Sequence, residues 1–107
     1  MLSNIHSIHL PHRELGNKRN SNLVPIRCSL GTLREVEDCA DMTIKLLSMI
    51  NKKLDILMLN AGIAWVPEYT ETEDGFETTM AVNHLNQVHL TNRLMDHIAS
   101  SGRVIVV

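Results

Sequence analysis

Three places in this 107-residue chain carry side chains whose types and spacing could do chemistry. The first is a histidine series, His6, His9 and His12, which recurs every third residue and would align roughly on one helical face. Three imidazoles can ligate zinc, but Pro11 interrupts the segment and no cysteine or carboxylate completes a ligand set. Solvent-exposed histidines, and no metal site, are therefore the expectation. The second place is Asn60-Ala61-Gly62, directly after an apolar run. The Asn60 amide can donate and accept hydrogen bonds, and Gly62 lets the backbone approach a ligand or turn tightly. The triplet either borders a ligand or simply closes a strand. The third is Asn83, inside an amphipathic stretch, where a carboxamide can serve a site or bond a neighbouring turn.

Other reactive side chains receive plainer readings. His84 is expected to be packed or solvated, and His89 and His97, eight residues apart, fall outside the spacing of helical metal pairs. Trp65 and Tyr69 belong to a loop at the ligand edge, where anchoring the loop is favoured over touching substrate. Cys28 and Cys39 are too few for the multi-bridge framework of small secreted scaffolds, so they are read as reduced thiols in a cytoplasmic protein. Glu71, Glu73, Asp74 and Glu77 supply negative charge to a helix N-terminus.

The elements that must position these residues follow from periodicity. Residues 1–22 are the least readable, with a turn-prone polar stretch at Asn17–Asn22. Leu23 to Cys28 is a short apolar run whose pairing Pro25 limits. Thr32-Leu33-Arg34-Glu35 matches a capping box, and Leu33, Val36, Ala40, Leu47 and Ile50 predict a helix over 33–50, closed by Asn51-Lys52-Lys53. Leu54 to Leu59 is nearly continuously apolar and predicts a strand buried on both faces of a parallel sheet. Thr72 or Asp74 can cap a second helix over 74–99, which Ser100-Ser101-Gly102 breaks. Arg103 to Val107 is then a β-branched strand. Strands alternating with helices imply an α/β architecture with right-handed crossovers. In such sheets ligands sit at the carboxyl ends of strands, which are here Cys28-Ser29-Leu30, Asn60-Ala61-Gly62 and the end of the last strand.

Composition narrows the function. The charge of −2 gives no footprint for nucleic acid or an anionic membrane, and no run of about 18 apolar residues offers a membrane span. Residues 1–53 carry eight Lys/Arg against five Asp/Glu, and residues 54–107 two against seven; this asymmetry reads as solvated surface. The N-terminus lacks the basic and continuous apolar regions of a signal peptide.

Taken together, the motifs say more. Leu57-Met58-Leu59-Asn60-Ala61-Gly62, Asp74-Gly75-Phe76-Glu77-Thr78-Thr79, Val82-Asn83-His84-Leu85, Leu90-Thr91-Asn92 and Gly102 to Val107 resemble the short-chain dehydrogenase/reductase family. The wording is nearest its branch of retinol-dehydrogenase-like and WW-domain-containing oxidoreductase-like members. The resemblance covers residues 23–107 and implies a Rossmann fold and hydride transfer between NAD or NADP and an alcohol or carbonyl substrate. It further implies that Asn60-Ala61-Gly62 stands beside the cofactor, with Leu59 where a further Asn is usual. Ser29-Leu30 corresponds to an Asp-Leu pair whose Asp accepts from the adenine amine. Asn83 corresponds to the Asn of a catalytic tetrad, holding a helix kink and a water. Asn86 stands where Gly is usual, a change expected to crowd helix packing.

The same resemblance exposes what these 107 residues lack. No Gly-x-x-x-Gly-x-Gly turn is present to bind a pyrophosphate, and no Tyr-x-x-x-Lys pair is present, since Tyr69 has Glu73 four residues on. The expectation is a partial Rossmann fold: three parallel strands alternating with helices, without the first two strands and the C-terminal third. Two absent strands would leave a gap of roughly 14 Å between 23–28 and 54–59. Such a chain is expected to be inactive alone, or to act by associating with a full-length relative.

Overall fold

The computed structural model describes residues 23–107. The histidine series, the polar stretch Asn17–Asn22 and the expected boundary of a separate segment 1–22 lie outside the described residues. Helix α1 (Leu33–Ile50) occupies the span its periodicity predicts. Thr32 is the N-cap, accepting the Glu35 N–H at 3.2 Å, while its hydroxyl donates to the Glu35 carboxylate at 3.1 Å. A carboxylate distant in sequence serves the same end: Asp74 Oδ2 accepts from the Leu33 N–H at 2.8 Å. Free N–H groups and the helix dipole favour an acid there. Asn51 stops α1 in the left-handed region, φ 51°, its N–H donating to the Leu47 and Ser48 carbonyls. This is a backbone stop, so the two lysines lie beyond the last turn.

Strands β1 (Leu54–Leu59) and β2 (Ile98–Val106) pair in parallel, with Ile56 opposite Arg103 and Leu59 opposite Val106. β2 starts earlier than the sequence suggests. Leu54 pairs with Ile98 while Ile56 pairs with Arg103, so the intervening residues of β2 form a bulge. Ser100-Ser101-Gly102 therefore lies inside a strand instead of ending a helix. A Cβ on Gly102 would stand 2.6 Å from Ile98 Cγ2 and 3.0 Å from the Leu54 carbonyl oxygen, which is why the bulge takes glycine.

The expected strand at 23–28 does not form, and the described sheet has two strands instead of three. Pro25 has no N–H for a ladder, and none of the described residues supplies a neighbouring strand. Ile26 and Cys28 nevertheless pack against the core. The second helical stretch is also shorter than expected. It begins as α2 (Thr78–Met80), passes through a π-helical turn (Ala81–Leu85), continues as α3 (Asn86–Leu94) and tightens to a 3₁₀ turn (Met95–His97). Its N-cap is Glu77, not Thr72 or Asp74, because residues 70–78 are folded into a tight loop. In that loop Gly75, at φ 81°, donates its N–H to the Thr72 carbonyl, and Thr78 donates to the Thr70 carbonyl.

The core lies between the helices and one face of the sheet. Val36, Cys39 and Ala40 of α1 meet Val82, Leu90 and Leu94, with Leu30, Leu54 and Leu57 against them. β1 is consequently covered on one face only. Ile56 and Met58, expected to be buried, are 55% and 58% exposed, since both packed helices take the face of Leu57. Cys28 and Cys39, expected as free thiols, are joined in a disulfide with Cα atoms 5.0 Å apart. A chain reversal at Gly31-Thr32 brings the segment carrying Cys28 back along α1, within bridging distance.

Candidate functional site

The loop leaving β1 is held by two carboxamides from the helix opposite. Asn83, at the centre of the π-helical turn, accepts the Ile63 N–H at 2.8 Å and donates to the Ile63 carbonyl at 2.9 Å. Both backbone groups of one loop residue are thereby satisfied by one side chain. The position of a Cβ on Gly62 lies 3.4 Å from Asn83 Oδ1, so the triplet and Asn83 are in contact distance. Gln87 adds a second tie, donating to the Ala61 carbonyl at 2.8 Å and to the Val82 carbonyl at 3.1 Å. The residue passed unnoticed in the sequence. Its signal was the spacing, four residues after Asn83, which places both amides on one side of the helix. With Ala61 and Ile63 anchored, Asn60, Ala61 and Gly62 remain exposed at the carboxyl end of β1.

Ser29 and Leu30 are linked to the same helical stretch through Asn86. Leu30 is buried in the core, and its carbonyl accepts from Asn86 Nδ2 at 2.7 Å. Asn86 is fully buried, so the residue expected to crowd the helix instead fastens it to the Leu30 backbone. Its Oδ1 has no hydrogen-bonding partner among the described residues. Ser29 is also buried, and its hydroxyl accepts the Gly31 N–H at 3.3 Å. That oxygen is therefore committed to a local turn. Beside it opens a cleft of about 360 Å³ lined by Arg27, Ser29, Glu35, Asp38 and Met42.

Around this frame the charged groups serve structure. Glu77 accepts from the Met80 and Thr79 N–H groups at 2.7 and 2.9 Å, and these bonds hold its carboxyl below the usual range. Glu37 of α1 accepts from His89 at 2.5 Å and from Arg93 at 2.7 Å, and Arg93 also contacts Asp41. The His89 bond, then the Arg93 bond, hold Glu37 below the usual carboxylate range. His89, read as surface, thus helps join α1 to α3. Trp65 is 97% exposed at φ 61°, so it does not anchor its loop among the described residues. The Tyr69 hydroxyl donates to Glu71 at 2.9 Å, and this bond to a carboxylate raises its pKa, the opposite of what a phenolic base needs. A groove of about 240 Å³ runs between α3 and β2, lined by Leu59, Asn83, His84, Gln87, Val88 and Val106 among others.

The arrangement can present a rigid, exposed backbone edge to a ligand. Among the described residues no group of three His, Cys, Asp or Glu could hold a metal. A dinucleotide fits only in part. Asn60 to Gly62 is open to it, Ser29 offers a hydroxyl already engaged by Gly31, and no Gly-rich turn in the chain can receive the phosphates.

Comparison with known proteins agrees with the fold. The sequence model of one family, short chain dehydrogenase, matches residues 3–107. That match reaches further toward the N-terminus than the motifs do. Retinol dehydrogenase 13 of Homo sapiens is 35% identical over 87 residues, covering 81% of this chain and 25% of that protein. Retinol dehydrogenase 14 of Mus musculus is 49% identical over 57 residues, covering 51% of this chain and 17% of that protein. Short-chain dehydrogenase TIC 32 A, chloroplastic, of Brassica napus is 43% identical over 54 residues, covering 50% and 17%. The crystal structure of an uncharacterized protein from Mycobacterium Paratuberculosis superposes with a TM-score of 0.58 at 36% identity, covering 71% of this chain and 25% of that one. The chain spans a quarter or less of the length of these relatives.

Proposed function

Because this chain belongs to the short-chain dehydrogenase family, we propose that it is one part of an NAD(P)-dependent oxidoreductase that interconverts an alcohol and a carbonyl compound. The observation that carries this reading is the double bond from Asn83 to the Ile63 backbone beside Asn60-Ala61-Gly62. It fixes the strand end where a cofactor would lie in an open α/β sheet. Asn83 then acts as a positioning residue, and Asn60, Ala61 and Gly62 with Ser29 and Leu30 form the adenosine side of the cofactor site. The chain alone turns nothing over, for it holds neither a phosphate-binding turn nor a Tyr-x-x-x-Lys pair. Retinol is the first alcohol to try, since two similar proteins carry that name. Among the described residues no helix is long and apolar enough to cross a membrane, and a cytoplasmic location remains part of the proposal.

Sequencing of full-length transcripts tests the reading. A longer transcript encoding a Gly-rich turn upstream and Tyr-x-x-x-Lys downstream supports it; a locus with no such exons overturns it. A second reading, a non-catalytic module that pairs with a full-length relative, is favoured by the half-exposed Ile56 and Met58 on β1. Co-purification with such a relative separates the two, and a strictly monomeric chain counts against the second.

A further inference from the structure

We propose that Cys28 and Cys39 form a reversible thiol–disulfide centre that controls how firmly the Ser29-Leu30 segment is held. Three observations carry this. The sulfurs are bonded, and the Cα atoms stand 5.0 Å apart, within the range that a disulfide spans without backbone movement. The two cysteines differ in access: Cys39 is 4% exposed within the core, whereas Cys28 is only partly buried. And the segment that the bridge restrains has little else to hold it. Among the described residues, 23–30 make no backbone–backbone hydrogen bond. Their polar ties are the Asn86 bond to the Leu30 carbonyl and the Ser29 bond to Gly31. A ladder would make the bridge redundant. Here the bridge and the packing of Ile26, Cys28 and Leu30 do that work.

The chemistry follows from the access. A small thiol enters as thiolate and attacks the Sγ of Cys28, the more exposed residue of the pair. The S–S bond breaks, and Cys39 leaves as a thiolate that takes a proton. A second thiol then attacks the sulfur of the small molecule in the mixed disulfide, freeing Cys28. The pair gains two electrons and two protons, and two molecules of thiol leave as one symmetric disulfide. Oxidation runs the same steps in reverse with a small-molecule disulfide as acceptor. In a thiol-rich compartment, bridges of this kind are transient and redox-sensing, not permanent. The consequence falls on the residue beside Cys28: Ser29, which lines a cleft together with Arg27, Glu35, Asp38 and Met42, is fixed when the bridge is closed and released when it opens. Only that consequence rests on the functional reading above; the centre itself stands on the cysteine geometry.

The test uses the full 107-residue chain equilibrated in mixtures of reduced and oxidised dithiothreitol. Free thiols are counted by alkylation and mass spectrometry, and the backbone order parameters of 26–31 are followed by NMR relaxation. The expected result is an intramolecular bridge that opens and closes reversibly. Reduction should lower the order parameters across 26–31 from the rigid range of about 0.85 toward the flexible range below about 0.6, while those in the middle of α1 hold. Cys28→Ser removes the bridge while leaving buried Cys39 in place, so it should show the order parameters of the reduced chain and be insensitive to the mixture. Two thiols that stay free in oxidised dithiothreitol, or that bridge only between chains, overturn the proposal. So do equal order parameters at 26–31 in the two redox states. None of these outcomes depends on whether a longer chain is an oxidoreductase.

Discussion

Asn83→Ala removes both bonds to Ile63 at once, and the structure sets the size of the effect. Each bond contributes about 1 kcal/mol net, so about 2 kcal/mol is the ceiling. The site is exposed, and water can replace part of the loss, which brings the expected destabilisation to about 1–2 kcal/mol. Because the bonds join loop to helix, the loss is local before it is global. Exchange of the Ile63 amide, followed by NMR, should accelerate by about five- to thirtyfold, while amides in the middle of α1 move less. Asn83→Asp separates the two bonds. It keeps an oxygen to accept the Ile63 N–H but loses the donor and sets a carboxylate against the Ile63 carbonyl. The Ile63 amide should therefore stay protected in the Asp variant although the loop is strained. Unchanged Ile63 exchange in Asn83→Ala refutes the clamp. An acceleration spread evenly over all amides would show that Asn83 acts on global stability alone.

Other perturbations have signs that follow from the same structure. Leu94→Ala empties a site that is 2% exposed in the core and should cost about 2–5 kcal/mol, read as a lower midpoint in chemical denaturation. Glu37 is held below its ordinary value of 4.5 by His89 and then Arg93. A carboxyl depressed in the fold contributes stability that is present above the unfolded value and lost as pH falls through the folded one. The difference in thermal midpoint between the native chain and Glu37→Gln should thus be largest near neutrality and close on acidification below 4.5. A gap that widens in acid contradicts the assignment.

Where local rules decide structure, the sequence was readable. Thr32, Glu35 and the apolar spacing of α1 are local signals, and the helix ends where they place it. β1 was equally plain from Leu54 to Leu59. What the sequence hid depends on partners distant along the chain. Asp74 looked like a cap for the helix that follows it, yet it serves α1. Ser100-Ser101-Gly102 has the composition of a helix breaker, and only the contact with Leu54 turns it into a strand bulge. The run Leu23 to Cys28 has strand composition but no described strand beside it, so propensity alone did not make it a strand. Cys28 and Cys39 were misread because spacing does not report distance; the turn at Gly31-Thr32 creates the 5.0 Å separation. At the site, Asn60-Ala61-Gly62 and Asn83 were each singled out, and the structure places them together. Gln87 offered only its spacing from Asn83, and the tie from Asn86 to Leu30 was invisible because a buried amide is recognised by the carbonyl it meets.

The central claim, that this chain is one part of an oxidoreductase and inert by itself, is tested most directly by turnover. The 107-residue chain and a longer product of the same locus, bearing a Gly-rich turn and a Tyr-x-x-x-Lys pair, would be compared for NAD(P)-dependent oxidation of retinol and simple alcohols. The account predicts reduced nicotinamide from the longer chain and none above background from the shorter. Turnover by the 107-residue chain alone, or an inert longer chain that folds and binds the cofactor, would contradict it.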